Sequence, residues 1–500
     1  MRKRKPKAEN AASASVAHTL KVTVPKNWGV VPLETVLEEI IGGGTPARDN
    51  PSYWNGSIPW LTVKDMRTRR PEDSIDHISE QAVRDSATNI IPADTVIIAT
   101  RIGLGKVIRV PYDAAINQDL KALITKPAVD KSYLEYWIYS ISNYLESIGS
   151  GTTVKGIRLE HVRSLPFPLA PLVQQKRIVA EIEKQFSRLD EAVTNLKRVK
   201  SNLKRYKAAV LKAAVEGRLV ETEASIARRE GRNYETGEQL LQRILDIRRQ
   251  QWLARAEQAG GKGKGKYKEP AAPDTTDLPE LPEGWVLGTF GHLCHIQGGF
   301  AFKSADYVPQ GVPLVRISNL VNGSVQLEDD TVFLPEGFLF EYADYRLKKG
   351  DTLMAMSGAT TGKMATFTLN RPTLLNQRVG RFQATLSALI NSGYISLLTM
   401  RASGKVLIEA YGAAQPNISP TEIEAMPVGI PPLAEQKRIV EEVERRLSLM
   451  SEIEAQVVVN LMRIERLRQS ILSSAFNGRL FLEKDNTLGN SYMEVKINDI

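Results

Sequence analysis

Apolar residues recur at regular spacings in two long stretches of the chain. They follow steps of three, four and seven residues in the first stretch, and the second stretch repeats this pattern 261 residues later. Such steps predict amphipathic helices with a narrow apolar stripe, which is typical of a coiled coil. The predicted core positions are Ile178, Ile182, Phe186, Leu189, Leu196, Leu203 and Val210, and then Ile439, Val443, Leu447, Met450, Val457, Ile464 and Ile471.

Each stretch also carries start and stop signals for a helix. Proline precedes it, at Pro171 and Pro432, and glycine follows it, at Gly217 and Gly478. Proline is favoured in the first turn of a helix, and glycine is favoured just after the last turn. We therefore predict two helices between these residues, each roughly 65–70 Å long.

Charge indicates how the two helices pair. Residues 197–212 of the first helix hold seven basic side chains and no acidic one. An antiparallel pair would set this half beside the acid-rich first half of the second helix, and full overlap would place residue 196 opposite residue 453. We therefore expect an antiparallel coiled coil. The acids concerned are Glu435, Glu441, Glu442, Glu444, Glu452 and Glu454.

The regions that precede the two helices resemble each other. Short β-branched runs such as TVIIAT at 95–100 and DTLMAM at 351–356, punctuated by glycine and proline, predict strands and turns. We predict an α+β fold with two similar mixed α/β modules, each followed by a long helix. The shared anchors are PKNW (25–28) with PEGW (282–285), IPWL (58–61) with VPLV (312–315), GK (105–106) with GK (362–363), and NQ (117–118) with NQ (376–377).

These patterns divide the chain into successive segments. A charged amphipathic helix is predicted at 236–259, a Gly, Lys and Pro-rich linker follows it, and the tail has no counterpart of that helix. The predicted segments are a disordered basic arm (1–24), a first module (25–170), the first helix (171–217), the charged helix and linker (218–281), a second module (282–431), the second helix (432–478) and a C-terminal tail (479–500).

Composition narrows the class of protein. The formal net charge is +9 and the pI about 9.3, which favours an anionic partner. The single cysteine, Cys294, excludes a disulfide framework and fits a reducing compartment. Because the chain has no apolar run of membrane-spanning length and no signal peptide, we expect a cytoplasmic protein.

The sequence lacks the motifs of an enzyme. Residues 50–53 (NPSY) only approximate the loop with which adenine methyltransferases hold a flipped base, and no glycine-rich cofactor loop precedes them. Residues 358–364 (GATTGKM) lack the spacing of a phosphate loop and its Ser or Thr after the lysine. His292, Cys294 and His295 lack a second ligand pair at zinc spacing. We therefore expect no catalytic residues, no metal site and no cofactor bound by this chain.

Basic side chains in the two modules indicate a DNA partner. Lysine and arginine contact phosphates, and arginine and asparagine also read base edges in the major groove. The alternative is that each of these residues is a solvated surface charge. The predicted DNA-binding residues are Lys64, Arg67, Arg69, Arg70, Arg101, Lys106, Lys155 and Arg158 in the first module, and Lys303, Arg316, Asn319, Lys363, Arg378 and Arg381 in the second.

With these motifs the chain resembles the DNA-specificity subunit of type I restriction–modification systems. The resemblance covers residues 25–482 and includes the doubled order of module and helix. The residues that carry it are GGGTPARDNPSYWNGSIPWLTVKDM (42–66), AINQDLKAL (115–123), the two P-L-x-x-Q-K-R-I-V helix starts, GRL at both helix ends and DLPELPEGW (277–285).

The resemblance implies a non-catalytic subunit that binds double-stranded DNA. Each module would read one half of a bipartite, asymmetric target. The coiled coil would set the unread spacer and dock two adenine-methylating modification subunits, which restriction subunits then join. S-adenosylmethionine, ATP and magnesium would belong to those partners. A coiled-coil scaffold whose two modules bind proteins is the alternative function.

Overall fold

The computed structural model describes residues 20–150, 155–258, 267–274, 280–358, 360–411, 418–481 and 492–496. The chain forms two compact units, residues 1–197 with 458–500, and residues 198–457. Each unit therefore combines one mixed module with parts of both long helices.

The first unit is built from short strands and helices. Its module contains strands β1 (Lys21–Pro25), β2 (Gly29–Pro32), β3 (Leu37–Gly42), β4 (Ile58–Leu61), β5 (Asp76–Ile78), β6 (Asn89–Ile91), β7 (Val96–Ala99), β8 (Val107–Arg109), β9 (Ala114–Ile116), β10 (Leu120–Thr125) and β11 (Pro166–Leu169). Its helices are α1 (Glu80–Arg84), α2 (Lys131–Ser140), α3 (Ser142–Ile148), α4 (Leu159–Arg163) and the start of the first long helix, α5 (Leu172–Val215).

The second unit begins with the rest of α5 and contains a second set of elements. These are α6 (Glu223–Glu230), α7 (Gly237–Gln258), β12 (Val286–Thr289), α8 (Phe290–Leu293), β13 (Cys294–Gly298), β14 (Val312–Val315), β15 (Leu320–Val321), β16 (Gly323–Val325), β17 (Val332–Leu334), α9 (Phe338–Glu341), β18 (Thr352–Ala355), β19 (Met364–Thr366), β20 (Leu374–Leu375), β21 (Val379–Ala384), α10 (Ser392–Tyr411), α11 (Pro420–Glu424), β22 (Pro427–Ile430) and the start of the second long helix, α12 (Leu433–Phe476). The last strand of the chain, β23 (Tyr492–Lys496), belongs to the first unit.

The two modules share a strand topology. Sheet β3-β10-β7-β8 of the first corresponds to β13-β21-β18-β19 of the second, where β16 and β15 extend it. Sheet β5-β4-β9 corresponds to β17-β14-β20, with the middle strand parallel to the last in both. The two-stranded sheets β11-β2 and β12-β22 also correspond. The prediction of two similar mixed modules is confirmed.

Each unit pairs the two long helices in antiparallel fashion. In the first unit Arg468 binds Asp190 and lies 5.3 Å from the Phe186 ring centroid, so the end of α12 lies beside the start of α5. In the second unit Arg446 donates to the Tyr206 hydroxyl at 3.3 Å, so the start of α12 lies beside the end of α5. These pairs are shifted by several residues from full overlap of the helices, because side-chain packing sets the register.

The predicted stripe residues face the interior. Ten are buried, and Leu189, Leu196, Leu447 and Ile471 are half-buried. In the first unit, Ile178, Ile182 and Phe186 share one core with the module and with Phe476, whose ring lies 5.0 Å from that of Tyr133. In the second unit, Val210, Ile439 and Val443 join the core of the other module. Burial of each such side chain contributes about 1.5–3 kcal/mol.

The interhelical ion pairs expected from the charge pattern are not formed among the described residues of the second unit. Glu442 instead accepts hydrogen bonds from Arg445 and Arg446 on its own helix, at 2.8 and 2.6 Å. The hydrogen bonds from Arg445 and then Arg446 lower the pKa of Glu442 to about 2. Glu442 therefore finds its partners within one turn of its own helix.

Both long helices end in the same glycine-dependent cap. Gly217 and Gly478 have φ +67°, and the amides that follow them, of Arg218 and Arg479, donate to carbonyls five residues back, at 2.9 and 2.8 Å. This is a Schellman motif, which glycine adopts without steric cost. A Cβ at Gly217 would lie 2.3 Å from Pro282 Cγ, and one at Gly478 would lie 2.2 Å from Pro25 Cγ.

The structure corrects the predicted N-terminal segment. Residues 1–19 lie outside the described residues, but Lys21–Pro25 forms strand β1, which pairs antiparallel with β23 (Tyr492–Lys496) of the predicted tail. Val22 and Val24 are buried, and their burial explains why this part of the predicted disordered arm is ordered.

The predicted linker is partly packed. Residues 259–266 and 275–279 lie outside the described residues, whereas Tyr267 lies against Trp252 with ring centroids 5.8 Å apart. Helix α6 was not predicted, and α7 matches the predicted charged helix. None of the helices that the structure describes combines the length and apolar composition needed to cross a lipid bilayer.

Candidate nucleic-acid interface

A buried glutamine holds the start of each long helix to its module. The Gln175 amide donates to Ala170 and Ala128 carbonyls and accepts from the Asp130 amide at 2.8 Å. Gln436, at the same repeat position, donates to Pro431 and accepts from Asn391 at 3.0 Å. Both side chains are fully buried. The glutamine of the repeated P-L-x-x-Q motif is therefore a structural anchor.

A tryptophan completes this anchor in each unit. Trp28 donates to Gln174 at 2.8 Å, and Trp285 donates to Glu435 at 2.8 Å. The Glu435 carboxylate also accepts from the Glu223 amide. Burial raises the pKa of Glu435, and these two hydrogen bonds partly offset that effect.

Tyrosines tie α2 and α10 to the last strand of each module. Tyr133 donates to the Pro168 carbonyl and Tyr394 to the Gly429 carbonyl, both at 2.9 Å. Since 394 and 429 each differ from their counterparts by 261, the constant offset reaches back to α2. The modules are thus mounted on the helices in the same way.

Four of the predicted cations lie in or against the loop between β7 and β8. Arg101 forms an isolated β-bridge with Gly156, and the Ile157 amide donates to the Thr100 carbonyl at 2.8 Å. The segment that carries Lys155 and Arg158 therefore lies against the loop that carries Arg101 and Lys106. All four cations are exposed.

The backbone of this β7–β8 loop is strained. Ile102 has φ +36° and is 53% exposed, which is an unusual conformation for a β-branched residue. Gly103 and Gly105 also have positive φ. Such strain is concentrated at binding sites, where the surrounding structure holds it.

The matching loop of the second module gathers Lys363 and Arg378. The amides of Ala355 and Met356 donate to the carbonyls of Lys363 and Arg378, at 2.8 and 2.9 Å. The Ile418 amide donates to Met356 at 3.0 Å, as Ile157 does to Thr100. Of the residues that imitate a phosphate loop, 358 and 360–363 lie between β18 and β19, Met364 begins β19, and residue 359 lies outside the described residues.

The loop after β4 presents Lys64 and Arg67 to solvent. Asp65 fixes the conformation of this loop: its buried carboxylate accepts hydrogen bonds from the backbone amides of Thr62 and Ile75, at 2.7 Å each. The neighbouring Asn117 amide donates to the Leu61 carbonyl at 3.1 Å. Contact of Lys64 and Arg67 with DNA phosphates or base edges stays a prediction. The exposure of both side chains is compatible with it.

Arg69 and Arg70 have internal partners instead. Arg69 lies 4.9 Å from the Tyr136 ring centroid and 5.6 Å from that of Phe186 on α5. Arg70 forms a bidentate pair with Glu135, whose side chain is fully buried and also pairs with Arg109 at 3.1 Å. A buried carboxylate and an aromatic cluster thus orient these two cations, while Arg69 stays half-buried and the Arg70 side chain is 44% exposed, so their predicted DNA contacts stay a prediction.

Two predicted residues of the second module are structural. Asn319 is 3% exposed, accepts from the Arg316 amide at 2.9 Å and donates to the Gln326 carbonyl at 3.1 Å. Arg381 is also 3% exposed, and it donates to the Asp344 carbonyl at 2.8 Å. Neither can reach a DNA surface as predicted. Lys303 is exposed and Arg316 is half-buried.

Glutamines that were not predicted stand at the same loop of each module. Gln118 and Gln377 follow the matched asparagines and are exposed. Gln118 accepts from Thr45 Oγ1 at 2.5 Å. Glutamine reads adenine through its amide, and the repeated NQ pair was the signal that could have identified both.

The histidine and cysteine cluster has ordinary structural partners. His292 accepts from the Thr289 amide at 3.0 Å, and His295 Nδ1 lies 2.9 Å from Glu424. The hydrogen bond to Glu424 raises the pKa of His295. Burial raises the pKa of the Cys294 thiol to about 12.

Comparison with known proteins identifies the family. The model for the type I restriction modification DNA specificity domain matches residues 25–204 and 282–458. The MjaIX specificity subunit of Methanocaldococcus jannaschii is 26% identical over 65% of this chain, and the chain spans 64% of that relative. The MjaVIII specificity subunit of the same organism is 23% identical over 93% of this chain and 95% of its own length.

A solved structure supports the fold. A chain from a study of complex assembly and conformational transition of the type I R-M system superposes with a TM-score of 0.60 at 17% identity, covering 91% of this chain and 99% of that chain. Because the family model matches both modules and most of both helices, the chain belongs to the family of type I restriction–modification DNA specificity domains.

Proposed function

We propose that this chain is the DNA-recognition subunit of a type I restriction–modification complex and has no catalytic site of its own. Each module reads one half of a bipartite, asymmetric target, and the antiparallel helices set the unread spacer between the halves. The observation that carries this proposal is a shared frame with different exposed loops. The residues that mount each module on its helices repeat at a constant offset of 261 (Gln175 and Gln436, Tyr133 and Tyr394), whereas the β7–β8 and β18–β19 loops present different cations.

The proposed partners are two modification subunits, which dock on the helices, and restriction subunits, which join them in the cytoplasm. S-adenosylmethionine, ATP and magnesium belong to those partners. Exposed apolar residues on the helices support docking, since such patches mark protein interfaces. In the second unit they border a groove of about 330 Å³ lined by Leu203, Tyr206, Arg445, Arg446, Leu449, Met450 and Ile453. In the first unit Val458, Val459 and Met462 are each about half exposed.

A module replacement tests the proposal. Residues 282–426 are exchanged for the equivalent region of a relative, and methylated sites are sequenced in cells that supply the modification subunit. We expect one half of the methylated motif to change and the other half to persist. A change in both halves would contradict independent reading by each module.

A gel shift with the purified complex separates DNA recognition from the scaffold alternative. We expect sequence-selective binding of a duplex that carries the methylated motif, and weaker binding of a scrambled duplex of the same length. Equal binding of both duplexes, together with retained partner assembly, would favour the scaffold.

A further inference from the structure

The exposed half of α5 between residues 198 and 212 is strongly basic and lies outside both recognition modules. We call it the basic face, and it consists of Arg198, Lys200, Lys204, Arg205, Lys207 and Lys212, all exposed. No acidic residue lies within 198–212. Arg198, Arg205 and Lys212 repeat every seven residues, and therefore share one side of the helix. Lys200, Lys204 and Lys207, spaced by four and three residues, form a second row roughly 100–160° further around the helix, so the six cations surround about half of its circumference.

Five of these six cations form no ion pair within the part of the chain that the structure describes. Lys212 lies 3.9 Å from Glu216, and no described residue forms an ion pair with the other five. The acidic half of α12 does not neutralise them, because Glu442 is bound by Arg445 and Arg446. Glu441, Glu444, Glu452 and Glu454 are exposed, and none of them pairs with the basic face.

The coiled coil itself does not require this charge. At the six positions 261 residues later, α12 carries Val459, Leu461, Glu465 and Ser473 in place of Arg198, Lys200, Lys204 and Lys212, and keeps a cation only at Arg466 and Arg468. The two helices have the same length and the same buried stripe, so their packing tolerates either set. Concentrating six like charges costs self-repulsion, which an anionic ligand would relieve.

We propose that the basic face binds the phosphate backbone of the DNA spacer that the modules do not read. This inference rests on the proposed function and adds a binding site on the helix. Residues 198–212 extend for about 21 Å along the helix axis, which equals about six base pairs at 3.4 Å each. Contacts of this kind position the duplex without reading its sequence.

The test uses the full chain with its modification subunits and a duplex that carries the methylated motif. Arg198, Lys200, Lys204, Arg205 and Lys207 are replaced by glutamine, which retains helix propensity and removes charge. We expect the slope of log affinity against log salt to flatten by about 0.9 for each phosphate that the five cations neutralise. Discrimination between target and scrambled duplexes should persist.

A matched pair of smaller variants controls for net charge. Arg198→Gln with Arg205→Gln removes two cations from the basic face, and Arg463→Gln with Arg466→Gln removes two exposed cations from α12. Arg466 occupies the repeat position of Arg205. We expect only the Arg198→Gln, Arg205→Gln double variant to bind DNA more weakly. An equal loss of DNA affinity in both double variants would mean that the total charge of the protein matters and the position of the basic face does not.

A duplex with uncharged backbone linkages then tests which part of the DNA the basic face binds. Methylphosphonate linkages placed only in the spacer should weaken binding of the unaltered complex and leave the five-fold variant unaffected. The inference is overturned if the unaltered complex ignores these linkages, or if the variant loses its modification subunits in the absence of DNA, since the face would then be a protein-docking surface. If the unaltered complex shows no target preference, the proposed function fails instead.

Discussion

At the scale of single residues, buried polar side chains decide how each module is held. Gln175 and Gln436 have their amide groups paired inside the protein. Loss of one partner would leave a buried polar group unsatisfied, at a cost of about 1–3 kcal/mol. The same reasoning applies to Glu135, a buried carboxylate that Arg70 and Arg109 compensate.

Arg70→Ala is expected to destabilise the first unit by about 1–3 kcal/mol, because the buried Glu135 carboxylate would lose two hydrogen bonds and keep only Arg109 as its charged partner. Lys64→Ala, on the exposed loop beside it, should change stability by less than about 0.5 kcal/mol. Urea unfolding followed by tryptophan fluorescence compares the two variants. If Arg70→Ala weakened DNA binding and left the unfolding midpoint unchanged, Arg70 would belong to the interface after all.

His295 and Glu424 make the stability of the second unit depend on pH. The pKa of His295 is raised from 6.5 by its hydrogen bond to Glu424. A group with a raised pKa stabilises the folded state fully below its unfolded pKa, and this contribution is lost as pH rises through the folded pKa. The stability advantage over His295→Asn should therefore be largest below pH 6.5 and shrink above it.

Urea midpoints measured from about pH 6 to about pH 8.5 check this prediction, since the histidine titrates within that range. Glu424→Gln serves as the control, because it removes the partner and should abolish the same pH dependence. A difference between wild type and His295→Asn that stays constant with pH would show that the pair does not titrate in this range.

At the scale of elements, the helix ends depend on glycine for two separate reasons. Gly217 adopts a left-handed φ, and its missing Cβ also leaves room for Pro282 and Trp285. Gly231 ends α6 with φ +65°, and a Cβ placed there would have no atom within 4 Å. Substitution of Gly231 therefore measures the cost of backbone strain alone, and substitution of Gly217 measures the cost of strain and close packing together.

Gly231→Ala should cost about 1–2 kcal/mol, which is the cost of a left-handed alanine. Gly217→Ala should cost more, about 2–4 kcal/mol, because its Cβ would lie 2.3 Å from Pro282 Cγ. Thermal and urea unfolding of the two variants measure the difference. Equal costs would show that Pro282 shifts freely and that packing at this helix end is loose.

At the scale of the whole molecule, each module is held by both long helices. The first module contacts the start of α5 through Gln174 and the end of α12 through Pro25 and Gly478. The second contacts the start of α12 through Glu435 and the end of α5 through Pro282 and Gly217. Neither module is therefore mounted on a single helix.

Lengthening both helices tests whether they set the spacer. Seven residues inserted into each helix preserve the apolar stripe and add about 10 Å, comparable to about three base pairs. The positions of the two interhelical pairs sum to 658 (Arg468 with Asp190) and 652 (Arg446 with Tyr206), and their mean register places insertions after Leu196 and Val458 opposite each other, rather than after Leu196 and Ile453. We expect a methylated motif with a spacer longer by one to about three base pairs.

Sequencing of methylated sites in cells that carry the double insertion measures the spacer. A single insertion in α5 alone is the control, and it should abolish methylation because it breaks the register of the pair. An active double-insertion complex with the original spacer would show that the helices only dock partners.

The sequence alone determined the elements that depend on local pattern. The apolar stripes, the glycine stops and runs such as Val96–Ala99 and Thr352–Ala355 were predicted because periodicity and turn chemistry act within a few residues. The doubled arrangement also carried the resemblance to the family.

The tertiary structure decided which charged and polar residues are available for binding. Asn319 and Arg381 are of the same residue types as the exposed candidates, yet they are buried, and Arg69 and Arg70 are held by aromatic and acidic partners distant in sequence. Residue type does not specify such partners, because they come together only when the sheets and helices pack. For the same reason, the helix register and the lack of ion pairs at all described cations of the basic face except Lys212 could be seen only in the folded molecule.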